Sequence, residues 1–129
     1  STTGDGDIID ITSDVQSALG KFKMKTGVAT CFIPGSTAFL TTIEYESGLI
    51  HDLPQLLEKL IPKASNYAHN AAWGDGNGFA HLRSSLIGPS LSVPFKNGKL
   101  CLGTWQQIVF VECDNRPRQR TVELQFIGT

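Results

Sequence analysis

The sequence has almost no excess charge of either sign. Eleven Lys and Arg stand against twelve Asp and Glu, a formal net charge of −1, which argues against an extended nucleic-acid surface, ordinarily basic. No apolar run is long enough to span a bilayer, so no membrane partner is expected. No signal-peptide pattern is visible. Cysteine is scarce. Cys31, Cys101 and Cys113 form an odd set with no CxxC pair, so no disulfide framework is expected. There is no Asn-x-Ser/Thr acceptor either, and the two absences point to a reducing, cytoplasmic setting. No Ser stands in a nucleophile-elbow sequence. Cys113 precedes Asp114, whose carboxylate raises a thiol pKa rather than lowering it. Repeats and low-complexity tracts are absent too.

What is present suits one globular domain over residues 1–129. The chain is 40% hydrophobic and 18% charged, enough apolar surface for one core without staples. Ile8, Ile9 and Ile11 end a short strand. Ser13-Asp14-Val15-Gln16 then reads as a capping box. Ile11, Val15, Ala18, Leu19 and Phe22 predict a helix over Asp14–Phe22. Val28–Ile33 and Thr37–Glu46 read as strands with a Pro34-Gly35 turn between them. Leu53, Leu56, Leu57 and Leu60 mark a second helix over Asp52–Ile61, stopped by Pro62. The pattern then fails from Ser65 to Gly78, a glycine- and asparagine-rich loop whose length favours function or disorder. His81–Ile87 predicts a short third helix. Leu91–Phe95 and Lys99–Leu102 flank Asn97-Gly98, a strong hairpin signal. Thr104–Cys113 and Gln119–Ile127 are long strands around a turn at Asp114-Asn115. The order gives an α+β fold with a largely antiparallel or mixed sheet, two main helices and a short third.

Four groups of residues invite chemistry. His69, Asn70, Asp75, Asn77 and His81 share the loop region. Imidazoles with a carboxylate suit a zinc-type cation, and the same residues also suit a solvated loop rich in Asx turns. The run Asp75-Gly76-Asn77-Gly78 opens like an EF-hand, but Ala80 and Leu86 occupy the glycine and glutamate positions. It is no dinucleotide fingerprint either, since no strand feeds it. Arg83, Ser84, Ser85 and Ser90 around a glycine turn suit a phosphate or carboxylate; a surface helix with one Arg is the simpler alternative. Glu44 and Glu46 share a strand face, where one carboxylate suits metal ligation or a base, or both are merely exposed. Arg116, Arg118 and Arg120 pair most simply with Glu112, Asp114 and Glu123. Val109-Phe110-Val111 fits either a core or a subunit interface. His51, near a helix start, reads as structural.

Three separated segments carry a resemblance. They are Pro34-Gly-Ser-Thr-Ala-Phe-Leu-Thr-Thr-Ile-Glu44 with Tyr67-Ala-His-Asn70; Trp73-Gly-Asp-Gly-Asn-Gly78 with His81-Leu-Arg-Ser-Ser-Leu-Ile-Gly-Pro-Ser90; and Leu102-Gly-Thr-Trp-Gln106. In order, from Ile8 to Gly128, the chain resembles the YjbQ-like family. The resemblance implies a compact α+β subunit that forms a homotrimer or larger ring. It also implies a weak, secondary thiamine-phosphate synthase activity beside an unassigned physiological reaction; that activity joins a pyrimidine pyrophosphate to a thiazole phosphate and releases pyrophosphate. Matching motif positions make Glu44, Asp75 and His81 the catalytic candidates. His69, His81 and Glu44 become candidate ligands of a divalent metal, zinc or magnesium. Arg83, with Ser84 and Ser90, becomes the anion contact for a phosphorylated small molecule. The alternative is a non-catalytic metal- or small-molecule-binding oligomer. The chain departs from the family pattern at Gly35 and Phe79, where the pattern carries His. His69 and His81 are therefore the only imidazoles these motifs supply.

Overall fold

In the computed structural model, which describes all residues from Ser1 to Thr129, β6 (Gln107–Glu112) is the strand around which the rest is arranged. It runs between β1 (Ile8–Asp10) and β3 (Ala38–Ile43), antiparallel to both. A second antiparallel sheet orders β5 (Lys99–Leu100), β4 (Ser90–Lys96), β2 (Gly27–Phe32) and β7 (Glu123–Gly128). Four helices complete the chain: α1 (Thr12–Phe22), α2 (Ser47–Leu60), α3 (Ala68–Trp73) and α4 (Gly78–Ile87). The α+β class and antiparallel pairing match the sequence reading. The helix count does not: there are four helices, because α3 forms inside the segment read as loop. None of them is long and apolar enough to cross a membrane.

Side-chain alternation along β6 divides the core. Ile108 and Phe110 pack with Val15, Cys31, Ile33, Leu40 and Val93 between the two sheets. Val109 and Val111 face the other way, toward Ile8, Phe39, Leu57, Phe79 and Ala80, beneath α2 and α4. A strand buried on both faces needs a continuous apolar run. Val109-Phe110-Val111 is therefore core within one chain.

The Pro34-Gly35 turn separates β2 from β3 as expected, and the two strands lie in different sheets. Two other local readings are overturned. The Ser13–Gln16 capping box does not form. Asp10 Oδ1 instead accepts from Thr12 N at 3.0 Å and opens α1. Gln16 fastens α1 to the β4–β5 hairpin, donating to Gly98 O (2.8 Å) and accepting from Leu100 N (3.0 Å). Helix α2 starts earlier than the leucine spacing indicated, because Glu46 caps it by accepting from Gly48 N and Leu49 N. The hairpin at Asn97-Gly98 forms as expected, with φ of 52° and 73°, the left-handed pair that a two-residue turn requires.

Candidate functional site

The site is assembled by a tight reversal between α3 and α4. Gly74 ends α3 at φ 72° and Gly76 follows at φ 67°, conformations that glycine adopts without strain. The chain then enters α4 at Gly78, where a side chain has no room. An added Cβ would lie 2.7 Å from Tyr67 Cβ and 2.9 Å from Asn70 Oδ1. That closeness lets Asn70 Oδ1 accept from Gly78 N at 2.9 Å and tie the two helices together.

The reversal sets His69 of α3 against His81 of α4, with ring centroids 4.3 Å apart and the ring planes tilted by 52°. Nε2 of His69 lies 3.0 Å from Asn77 Oδ1 and 3.4 Å from Asp75 Oδ1. Asn77 in turn donates through Nδ2 to Asp114 Oδ1 at 3.3 Å. The loop cluster of His69, Asn70, Asp75, Asn77 and His81 is thus one spatial unit.

Charge is arranged unevenly across it. Burial and the neighbouring His69 hold the His81 pKa below the usual imidazole value, against the opposing pull of Asp75 and Asp114. His81 therefore favours its neutral form at physiological pH. Behind the pair, burial would push the Asp114 carboxyl up. Hydrogen bonds from Asn77, Asn115 and Thr37 and the charge of Arg118 outweigh it and hold that pKa low. Glu112, fully buried, is held low in the same way by Arg120, which donates to its two oxygens at 2.8 and 2.6 Å. Thr2 also donates to Glu112 at 2.8 Å. Of the ion pairs expected here, those of Arg118 and Arg120 are present, each on a buried carboxylate behind the site, while Arg116 and Glu123 make none.

The remaining candidates separate. Glu44 is exposed, one residue beyond β3. No three His, Cys, Asp or Glu side chains of the chain are grouped so as to hold a metal ion, so one chain does not unite Glu44 with His69 and His81 as an ion site. Its sequence neighbour Glu46 is taken up as the α2 cap.

The anion trio is dispersed. Arg83 is 2% exposed and engaged within the fold. Its guanidinium donates to Ile61 O (3.0 and 2.8 Å), Asp5 Oδ1 (3.2 Å) and Glu58 Oε2 (2.8 Å). It also lies 4.9 Å above the Phe79 ring. Four of the five N–H groups of this fork are thus committed within the fold, and the side chain is buried, which leaves no paired donors for a phosphate. Ser84 is buried and donates to Ala38 O at 2.6 Å, pinning α4 to β3. Ser90 is exposed and lines a groove of about 360 Å³ with Thr41, Thr42, Ser92, Leu102 and Gln106.

Phe79 is a core residue. The two buried thiols, Cys31 and Cys113, offer no activated nucleophile. Burial pushes Cys113 up to about 12 and also raises Cys31. Sequence reasoning missed Asp114 as part of the site. The one signal available was its place at the turn after an apolar strand, which does not reveal what faces it.

Comparison with known proteins agrees along the whole chain. The sequence model described as "UPF0047 protein YjbQ-like" matches residues 1–129. The UPF0047 protein MJ1081 of Methanocaldococcus jannaschii is 40% identical over 123 residues, covering 95% of this chain and 86% of that protein. Among solved structures, a YbjQ-like protein of unknown function from Sulfolobus solfataricus P2 superposes with a TM-score of 0.93 at 30% identity, covering 100% of this chain and 93% of the other. Hypothetical protein APE1520 from Aeropyrum pernix K1 superposes with a TM-score of 0.92 at 34% identity, covering 100% and 95%.

Proposed function

Because this chain belongs to the UPF0047 YjbQ-like family, we propose that it acts on a phosphorylated small molecule at the His69–His81 pair, as a transferase of the secondary thiamine-phosphate synthase type. The observation that carries this reading is the contact between the two imidazoles, 4.3 Å apart, with burial and His69 lowering the His81 pKa. Such a pair presents lone pairs to a ligand. Imidazole nitrogens suit zinc better than magnesium, which prefers oxygen. A divalent cation would take His69 and His81 as ligands. One chain supplies too few donors, so the set would be completed from outside it. Glu44, exposed and free of the cluster, is the residue a second copy in a homotrimer or larger ring would contribute. Asp75, beside His69, would orient the ligand. Discharge of a pyrophosphate group needs mainly positioning and charge neutralisation.

A second reading is a non-catalytic metal- or small-molecule-binding oligomer. It is favoured by the commitment of Arg83 and Ser84 to the fold and by the raised thiol of Cys113. Metal analysis of the purified protein, with rescue of a strain lacking thiamine-phosphate synthase, separates the outcomes. The transferase reading expects bound metal and rescue, with both reduced in His69→Ala and His81→Ala. A protein that carries no metal and rescues nothing would overturn it. Tight ligand retention without turnover would favour the second reading.

A further inference from the structure

Asp114 stands behind the histidine pair and is linked to His69 through Asn77. Its carboxylate is 1% exposed and accepts four hydrogen bonds. They come from Thr37 Oγ1 (3.1 Å), Asn77 Nδ2 (3.3 Å), Asn115 N (2.8 Å) and Arg118 Nη1 (2.8 Å). An ionised carboxylate can only accept. The side chain of Asn77, itself buried, must therefore turn its NH2 group toward Asp114. The planar amide then presents its oxygen on the opposite side, 3.0 Å from His69 Nε2. A carbonyl oxygen has no hydrogen to give, so the ring nitrogen must supply it. Asp75 Oδ1, 3.4 Å from the same nitrogen, makes the same demand. In a neutral ring a proton on Nε2 leaves the lone pair on Nδ1, and Nδ1 of His69 makes no hydrogen bond within the chain.

We propose that Asp114 is a positioning residue of this site, acting through Asn77: it locks the Asn77 amide, holds His69 as the Nε2–H tautomer and so presents Nδ1 as the atom that meets the ligand. The ligand at that atom is a lone-pair acceptor, either a cation or an N–H or O–H group, and not an anion. Its bearing on function rests on the reading of His69 and His81 given above; the tautomer itself exists without any ligand.

The test is a long-range ¹H–¹⁵N correlation spectrum of the ¹⁵N-labelled, ligand-free full chain, at a pH where the ring is neutral. His69 is expected to show a protonated Nε2, an unprotonated Nδ1 and an Nε2 proton in slow exchange with water. An unconstrained imidazole already leans toward Nε2–H, so the variants decide. In Asp114→Asn the Asn77 amide is free to turn, and an Nδ1–H population should appear. In Asn77→Ala, which leaves the Asp114–Arg118 pair in place, the slow Nε2 proton should be lost and exchange like that of exposed His51. A wild-type His69 protonated on Nδ1, or a ring unchanged in both variants, would overturn the proposal. If the tautomer is confirmed and no metal or activity is ever found, the functional reading fails and this one stands.

Discussion

Arg83 separates a structural role from a binding role most sharply. From α4 its side chain reaches two distant pieces of chain: Asp5 near the N-terminus, and the end of α2 through Glu58 and the Ile61 carbonyl just after it. In Arg83→Met a shorter apolar chain replaces the aliphatic stem and removes the guanidinium, with its charge and its contact over Phe79. Asp5, only 15% exposed, then loses one cationic partner and keeps Lys63. The Ile61 carbonyl loses both guanidinium donors. Glu58 is half exposed, so that pair adds little. Breaking a buried pair costs about 3–5 kcal/mol when the partner is stranded. The retained Lys63 and the exposure of Glu58 bring the expectation to about 2–3 kcal/mol. For a chain of this size that corresponds to a fall in Tm of roughly 6–15 °C. Urea unfolding at fixed protein concentration measures the first figure and calorimetry the second. Arg83→Lys should fall between wild type and Arg83→Met. Affinity for inorganic phosphate should be unchanged in the folded fraction of either variant. Wild-type stability combined with lost phosphate binding would refute the reasoning and restore Arg83 as an anion contact.

Other perturbations address other parts of the account. Gly78→Ala should splay α3 from α4, because the new Cβ meets Tyr67 Cβ at 2.7 Å. Loss of the nuclear Overhauser contacts between His69 and His81 would record it, and their persistence would argue against the tight reversal. Gln16→Ala removes both hydrogen bonds from α1 to the hairpin and should cost about 1–3 kcal/mol, read from denaturant midpoints. Glu112 and Asp114 have pKa values below the ordinary carboxylate range when folded. Their contribution is present above the unfolded value of about 4 and is lost as pH falls below it. Wild-type stability should thus decline on the acid side of about pH 4, and the decline should be shallower in Asp114→Asn. His81 carries the same sign. Its lowered value predicts a loss of stability that begins as pH falls through about 6.5 and is absent in His81→Gln.

The elements that were legible in the sequence are those whose cause is local. Asn97-Gly98 made its turn because both residues accept positive φ. Val15 and Leu19 showed the face that α1 buries. Where partners come from far along the chain, local signals were misleading. Ser13 and Gln16 have the residue types of a capping box, but the hairpin at Gly98 and Leu100 claimed Gln16. Pro34-Gly35 marked the break between β2 and β3, but nothing local showed that β3 would pair with β6 in the other sheet. Arg83 has the same side chain whether it grips a phosphate or a carboxylate; its partners within the chain, Asp5 and Glu58, lie too far along the sequence to be read from it. The grouping of His69, Asp75, Asn77 and His81 was readable because one short segment carries all four. Asp114 lies 37 residues beyond Asn77, too remote for spacing to reveal.

The most direct test of the central claim is crystallographic. Crystals of the full chain grown with zinc, measured at the zinc absorption edge, locate the ion without any assumption about activity. The account predicts an anomalous peak bonded to His69 Nδ1 and to the His81 ring, with an oxygen ligand from a neighbouring copy. A peak at other residues, or no peak beside the His69–His81 pair, would contradict it.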